Sequence, residues 1–229
     1  VANKAIFIDR SLTGRAAFDQ HIAISERIAK ITDQGGQVWI AQAPGRSKEG
    51  RDETHVGLLK MLAKARGGDR LGPQVLSGLV RPLVIRYDVN PCDMYLVKER
   101  ILGTKTEKDD ERSMRTGLEG WKGTVRIAEG PSIDADDCTN DRTGWESYAY
   151  KVDHAMEAMN IEGQWAGEAN QALEFGDFSI LSDGFLKRIE CIGESLEEAG
   201  NGLDPSTLKQ MACEIYREGS TRLNSVPEH

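Results

Sequence analysis

The sequence predicts an α/β fold: a partly parallel sheet with flanking helices, built from βαβ units, followed by a C-terminal helical segment. Three observations predict it. A short apolar run, a long amphipathic stretch and a second apolar run follow one another between Lys4 and Ala41. Two further β-branched runs occur at Arg81–Val89 and Thr124–Glu129. From about Ile133 onward strand signals fade and apolar residues fall into one-sided helical stripes.

The run "KAIFID", Lys4 to Asp9, has the length and composition of a short buried strand. In "AAFDQHIAISERIAKITDQGG", Phe18, Ile22, Ile24, Ile28 and Ile31 recur near helical spacing, and Gly35-Gly36 supplies the stop. "QVWIA", Gln37 to Ala41, reads as the next strand. Strand, helix and strand in this order predict a right-handed crossover between parallel strands. "RPLVIRYDV" and "TVRIAE" supply the third and fourth strands, with helices expected over Glu53–Arg66, Met94–Leu102 and Lys108–Glu119. Further on, Phe178, Leu181, Phe185, Ile189, Ile192 and Leu196 line one stripe. A last helix opens with Asp204 as N-cap and Pro205 at its first position. These last two helices are expected as an antiparallel pair. The domain expectation is an α/β part over residues 1–132 and a mainly helical region over 133–229.

With 229 residues and a formal charge of −8, the chain can bury a substantial core but lacks the basic face that a nucleic-acid binder needs. Any phosphate binding must be local. No apolar run approaches the roughly 20 residues that span a bilayer. The four cysteines, Cys92, Cys138, Cys191 and Cys213, stand singly without C-x-x-C or histidine at ligand spacing. Neither zinc nor a disulfide framework is expected, and a reduced, cytoplasmic setting is. No cofactor is expected either.

Local phosphate chemistry is suggested by "QAPGRSKEGRD" after the second run. Parallel strands end at one sheet edge, so Arg10 and Arg46 are expected side by side, with Gly45 admitting close backbone approach. Two converging guanidiniums suit one phosphate monoester. The alternative is that Arg10, Arg46, Lys48 and Arg51 are ordinary solvated loop cations. The turn is not a P-loop, since no G-x-x-x-x-G-K-[ST] occurs.

Taken in order, "AIFIDR", "WIAQAPGRSKEGRD…LLKML" and "RPLVIRYDVNPCD" resemble the second, third and fourth sequence blocks of the glycerol-3-phosphate and lysophosphatidic acid acyltransferase family. "NPCDMYLVKE" and "MRTGLEGWKGTV" are similar to the downstream pattern of a bacterial subgroup, so the likeness runs from Lys4 to about Val125. It implies transfer of a fatty acyl group from a thioester, on coenzyme A or acyl carrier protein, to a hydroxyl of glycerol 3-phosphate or a lysophospholipid. It also implies that Arg10 and Arg46, with Gly45, hold the acceptor's phosphate, with Ser47, Lys48 and Pro82 as further substrate-site candidates. Peripheral contact with the inner face of a membrane would follow, because such acceptors partition into bilayers.

The family's His-x-x-x-x-Asp block, in which the histidine is the general base and the aspartate orients it, belongs tens of residues before "AIFIDR" and is not in this chain. His21 and Glu26 mimic the spacing, but on a continuous helix they stand roughly 140° apart and cannot pair. Pro44 replaces the glutamate that usually begins the third-block turn. No residue here is therefore expected to be catalytic. The alternatives are the C-terminal portion of an acyltransferase, a non-catalytic phosphate- or headgroup-binding module, and a helical interaction protein. The acidic run "SIDADDCTND" reads as a solvated loop rather than a cation site, and Asp88 and Asp93 as residues that shape the presumed site or form turns.

Overall fold

A computed structural model of the chain describes residues 5–9, 11–42, 53–103, 107–159 and 161–217. Of these residues 61% are helical and 5% are strand, so the molecule is predominantly helical. The expected parallel sheet with βαβ units is not there. Strand β1 (Leu83–Tyr87) pairs only with β2 (Val125–Glu129), in an antiparallel ribbon. Its ends are marked by the Gly130 amide on the Pro82 carbonyl, 2.8 Å, and the Asp88 amide on that of Thr124, 3.1 Å.

The error lies in the first two apolar runs. Residues 5–9 and 37–41 form no strand; Phe7 stands 91% exposed and Trp39 76% exposed. A β-branched run is competent for a ladder but does not make one without a partner strand, and among the described residues neither run has one. The crossover geometry built on them goes with them. The long helix between the two is present as α1 (Gly14–Asp33), ended by Gly35 at φ +78° with its amide on the Thr32 carbonyl.

The chain forms two compact units. The first takes the described residues of Val1–Gly45, Asp52–Pro82 and Glu129–Ala158. It contains α1, α2 (Val56–Ala63) with a 3-10 turn at Lys64–Arg66, the short α3 (Gly68–Leu71) and α6 (Arg142–Ala158). Leu59, Ala63 and Leu76 pack with Trp145, Tyr148, Ala149 and Val152 of α6, and the Tyr148 hydroxyl donates to the Leu76 carbonyl at 3.0 Å. Burying these apolar faces against one another is what holds the eight-residue α2, too short to persist alone.

Leu83–Ala128 and the described residues from Met159 onward make the second unit. It holds the ribbon, α4 (Asp93–Leu102), α5 (Glu107–Glu119), α7 (Ala166–Phe175), α8 (Asp183–Glu198) and α9 (Pro205–Tyr216). The α8 stripe is buried at Phe185, Ile189, Ile192 and Leu196 as its spacing requires. Asp204 caps α9 by accepting from the amides of Ser206 and Thr207, both at 3.0 Å. Phe185 stacks on Trp165 at 5.0 Å between ring centroids, and Tyr216 sets its edge against both.

Candidate functional site

Arg10, Gly45, Arg46, Ser47 and Lys48 lie outside the described residues. Pro82 is described, and its carbonyl takes the Gly130 amide at the start of the ribbon, which is a framework role. The parallel strand ends expected to bring Arg10 and Arg46 to one sheet edge do not occur among the described residues.

What the structure does fix is how the ends of the Arg46 segment are held. The amide of His55 donates to the carbonyl of Gln42 at 2.9 Å, so the chain returns at residue 55 to where it left at residue 42. On the returning side the Thr54 amide and Oγ1 both donate to Oδ1 of Asp153, at 2.8 and 2.6 Å. Asp153 and Thr54 are buried, where a charged acceptor makes such bonds strong. On the leaving side, buried Nε2 of Gln42 finds no acceptor among the described residues. The sequence between these two described points, residues 43–52, carries Arg46, Lys48 and Arg51.

His55 leads directly into α2, whose first turn lines a groove. Phe18, His21 and Ile22 of α1 face Gly57, Lys60 and Met61 of α2, with Lys64 and Asp69 at the end, around about 190 Å³. Ser25 and Arg66 set the spacing of the walls: Ser25 Oγ takes the Ala65 amide at 2.9 Å, and Arg66 reaches Thr32 Oγ1 at 2.8 Å and Asp33 at 2.6 Å. Gly57 lies close under the exposed His55 ring, which a Cβ there would have to turn aside. The floor is apolar and the rim cationic. Lys64 pairs with Asp69 and stands 5.1 Å over the Phe18 ring, and Lys60 stands 5.9 Å over that of Trp145.

Phe18, expected in the buried stripe of α1, is 44% exposed and lies at this groove instead. His21 and Glu26 are both exposed on α1 and form no base–orienter pair, as their angular separation requires. Lys60 and Lys64 were missed by sequence reasoning. The signal was their i, i+4 spacing with Gly57 and Met61, which puts all four on one side of α2 and the turn that follows.

The other acidic candidates are occupied in the framework. Asp88 accepts from Arg126 and from the Thr124 amide, and these bonds, Arg126 first, hold its carboxyl below the usual range. Asp93 is fully buried and bound by Arg188 and Tyr216. In the acidic run, Asp134 takes Ser77 Oγ and the Asp136 amide, Asp137 pairs with Lys151, and Asp141 takes the Gly144 amide at the start of α6. The four cysteines are unpaired, three of them buried. Among the described residues no cluster of metal-ligating side chains occurs and no helix is long and apolar enough to cross a membrane.

Compared with models of known protein families, with curated proteins and with solved structures, the chain matches none.

Proposed function

We propose that the chain is a glycerolipid acyltransferase-type protein whose residues here hold the phosphate end of the acceptor, glycerol 3-phosphate or a lysophospholipid. The observation that carries the proposal is the Gln42–His55 closure. It returns the chain, after a stretch whose sequence carries Arg46, Lys48 and Arg51, to the start of a helix that lines a groove with two lysines. Guanidiniums suit a phosphate monoester, and His21, Lys60 and Lys64 offer further donors around the groove. The ordered sequence blocks from "AIFIDR" to "MRTGLEGWKGTV" add the acyl chemistry.

In that reaction the acceptor's hydroxyl oxygen attacks the thioester carbonyl, its proton passes to a base, and the thiol of coenzyme A or acyl carrier protein leaves. This chain contains no His-x-x-x-x-Asp, and no residue of it is assigned as the base. Pro44, where the third-block turn usually begins with glutamate, favours a second reading, a non-catalytic module that binds a phosphate headgroup. Peripheral association with a cytoplasmic membrane face belongs to both.

Thermal unfolding with added glycerol 3-phosphate or lysophosphatidate tests the shared part. A hundredfold excess over Kd adds about 2.7 kcal/mol. Arg46→Ala should remove most of the protection, and no shift at saturating ligand overturns both readings. Thiol release from acyl-coenzyme A separates them: turnover by this chain supports the first, and binding without turnover the second.

A further inference from the structure

The groove between α1 and α2 is lined by three side chains that can carry positive charge, His21, Lys60 and Lys64, and by one acid, Asp69. The backbone sets the place of that acid. After the 3-10 turn at Lys64–Arg66, Gly67 takes the left-handed conformation at φ +78°, with its amide on the Lys64 carbonyl at 3.2 Å. The following Gly68 lies tight on the end of α2: a Cβ there would fall 2.4 Å from that of Ala63 and 2.9 Å from the Ala63 carbonyl oxygen. The chain therefore doubles back, and Asp69 comes to lie beside Lys64. From the other side Asn140 donates its side-chain amide to the carbonyls of Asp69 and Arg70, at 3.4 and 2.8 Å.

On this fixed backbone the Asp69 carboxylate pairs with Lys64. The Lys64 side chain is 28% exposed and its ammonium rests over the Phe18 ring at the apolar floor, whereas the Asp69 side chain is 73% exposed. Lys60, one turn earlier on α2, stands over Trp145 instead. An anion that enters the groove for Lys64 thus meets a carboxylate already on that ammonium. Displacing Asp69 gives up its attraction to Lys64 and leaves a like charge beside the newcomer. Because Asp69 is mostly in water the displacement costs little, so the carboxylate weakens anion binding without abolishing it.

We infer that Asp69 is an internal counter-anion of the groove, which competes with an incoming phosphate for Lys64 and lowers the affinity of the site. The identity of the anion rests on the proposed function; the competition rests on the Lys64–Asp69 pair alone.

The test is labelling of the whole chain with pyridoxal 5′-phosphate and, separately, with pyridoxal. Both are aldehydes that condense with a lysine amine, and they differ only in the phosphate; borohydride reduction and peptide mass spectrometry then quantify each lysine. Asp69→Asn keeps the shape and removes the charge. At Lys64 it should raise labelling by pyridoxal 5′-phosphate about two- to fivefold more than labelling by pyridoxal. Lys30, exposed on α1, should not change. Asp69→Glu should restore the wild-type ratio, and both variants should keep the wild-type unfolding temperature, since this side chain is mostly exposed. Loss of an ion pair that merely frees the amine raises both reagents alike; that result, or no change at Lys64, overturns the proposal. Glycerol 3-phosphate added as competitor reads the proposed function separately. It should protect Lys64 in both proteins, at about two- to fivefold lower concentration in Asp69→Asn. Absence of protection with the reagent ratio still shifted counts against phosphate in this groove and supports Asp69 as the competing anion.

Discussion

Arg188 grips Asp93 with both prongs of its guanidinium: Nε donates to one carboxylate oxygen and Nη2 to the other, each at 2.7 Å, with Asp93 wholly buried. The pair joins the start of α4 to the middle of α8, and the Tyr216 hydroxyl brings in α9 by donating to the same carboxylate at 2.7 Å. Removing one member of such a set leaves a charge in the interior with nothing to neutralise it. Arg188→Met is expected to cost about 3 kcal/mol or more in urea unfolding. Asp93→Leu combined with Arg188→Met should recover a large part of that loss. A double variant as unstable as the single one would show that the pair is not the source.

Tyr216→Phe takes away one hydroxyl that donates to Asp93 and accepts the Asn90 amide at 3.2 Å, while keeping the ring packed on Trp165 and Phe185. A loss of about 1–3 kcal/mol is expected. Faster exchange of the Asn90 amide should accompany it, a readout that loss of ring packing alone does not give.

Asp153→Asn keeps the shape of the loop anchor and removes its charge. Both Thr54 donors then face a neutral oxygen, and the expected loss is about 1–2 kcal/mol. Protection of the Thr54 amide against exchange should fall with it. Unchanged protection would mean that Asp153 does not hold the loop.

Asp88 sets an acid limb. Its folded carboxyl lies below the ordinary range because Arg126 and the Thr124 amide bind the ionised form, so the folded state binds its proton less readily than the unfolded one. Its contribution is therefore complete above the ordinary carboxylate range and is lost as pH falls through the depressed value. Asp88→Asn should flatten stability against pH in that acid window and leave its slope near neutrality unchanged.

Thiol titration should find one reactive cysteine in the native protein and four after denaturation. Cys191 is exposed, whereas Cys92, Cys138 and Cys213 are buried. Burial pushes the Cys213 thiol up to about 12 and raises that of Cys138, so neither supplies thiolate at neutral pH. A Cys191→Ser variant that still reacts rapidly when folded would contradict this.

Helices were legible where large apolar residues recur at helical spacing and a cap is written in the sequence. Ile24 and Ile28 of α1, the α8 stripe and the Asp204-Pro205 start of α9 are examples. Helix α7 was not outlined, because its buried face is Ala166, Ala169 and Ala172, whose small side chains carry little hydrophobic contrast. Helix α6 could have been found from Trp145, Tyr148, Ala149 and Val152 following Asp141. Local composition does not report whether a strand has a partner. Arg81–Val89 and Thr124–Glu129 found each other, and Lys4–Asp9 and Gln37–Ala41 resembled them equally well in sequence. The groove was illegible for a related reason: Phe18 belongs to the same spacing as Ile24 and Ile28, and only the placement of α2 leaves it open.

The contact between residues 42 and 55 lets the sequence of residues 43–52 be treated as a cassette. With the Gln42 carbonyl and His55 amide already 2.9 Å apart, a short glycine bridge from residue 42 to Glu53 keeps Thr54 on Asp153. The chain can then be made with or without Arg46, Lys48 and Arg51. Transplanting the cassette between two such pinned positions in an unrelated scaffold would separate what the basic residues do from what α2 adds.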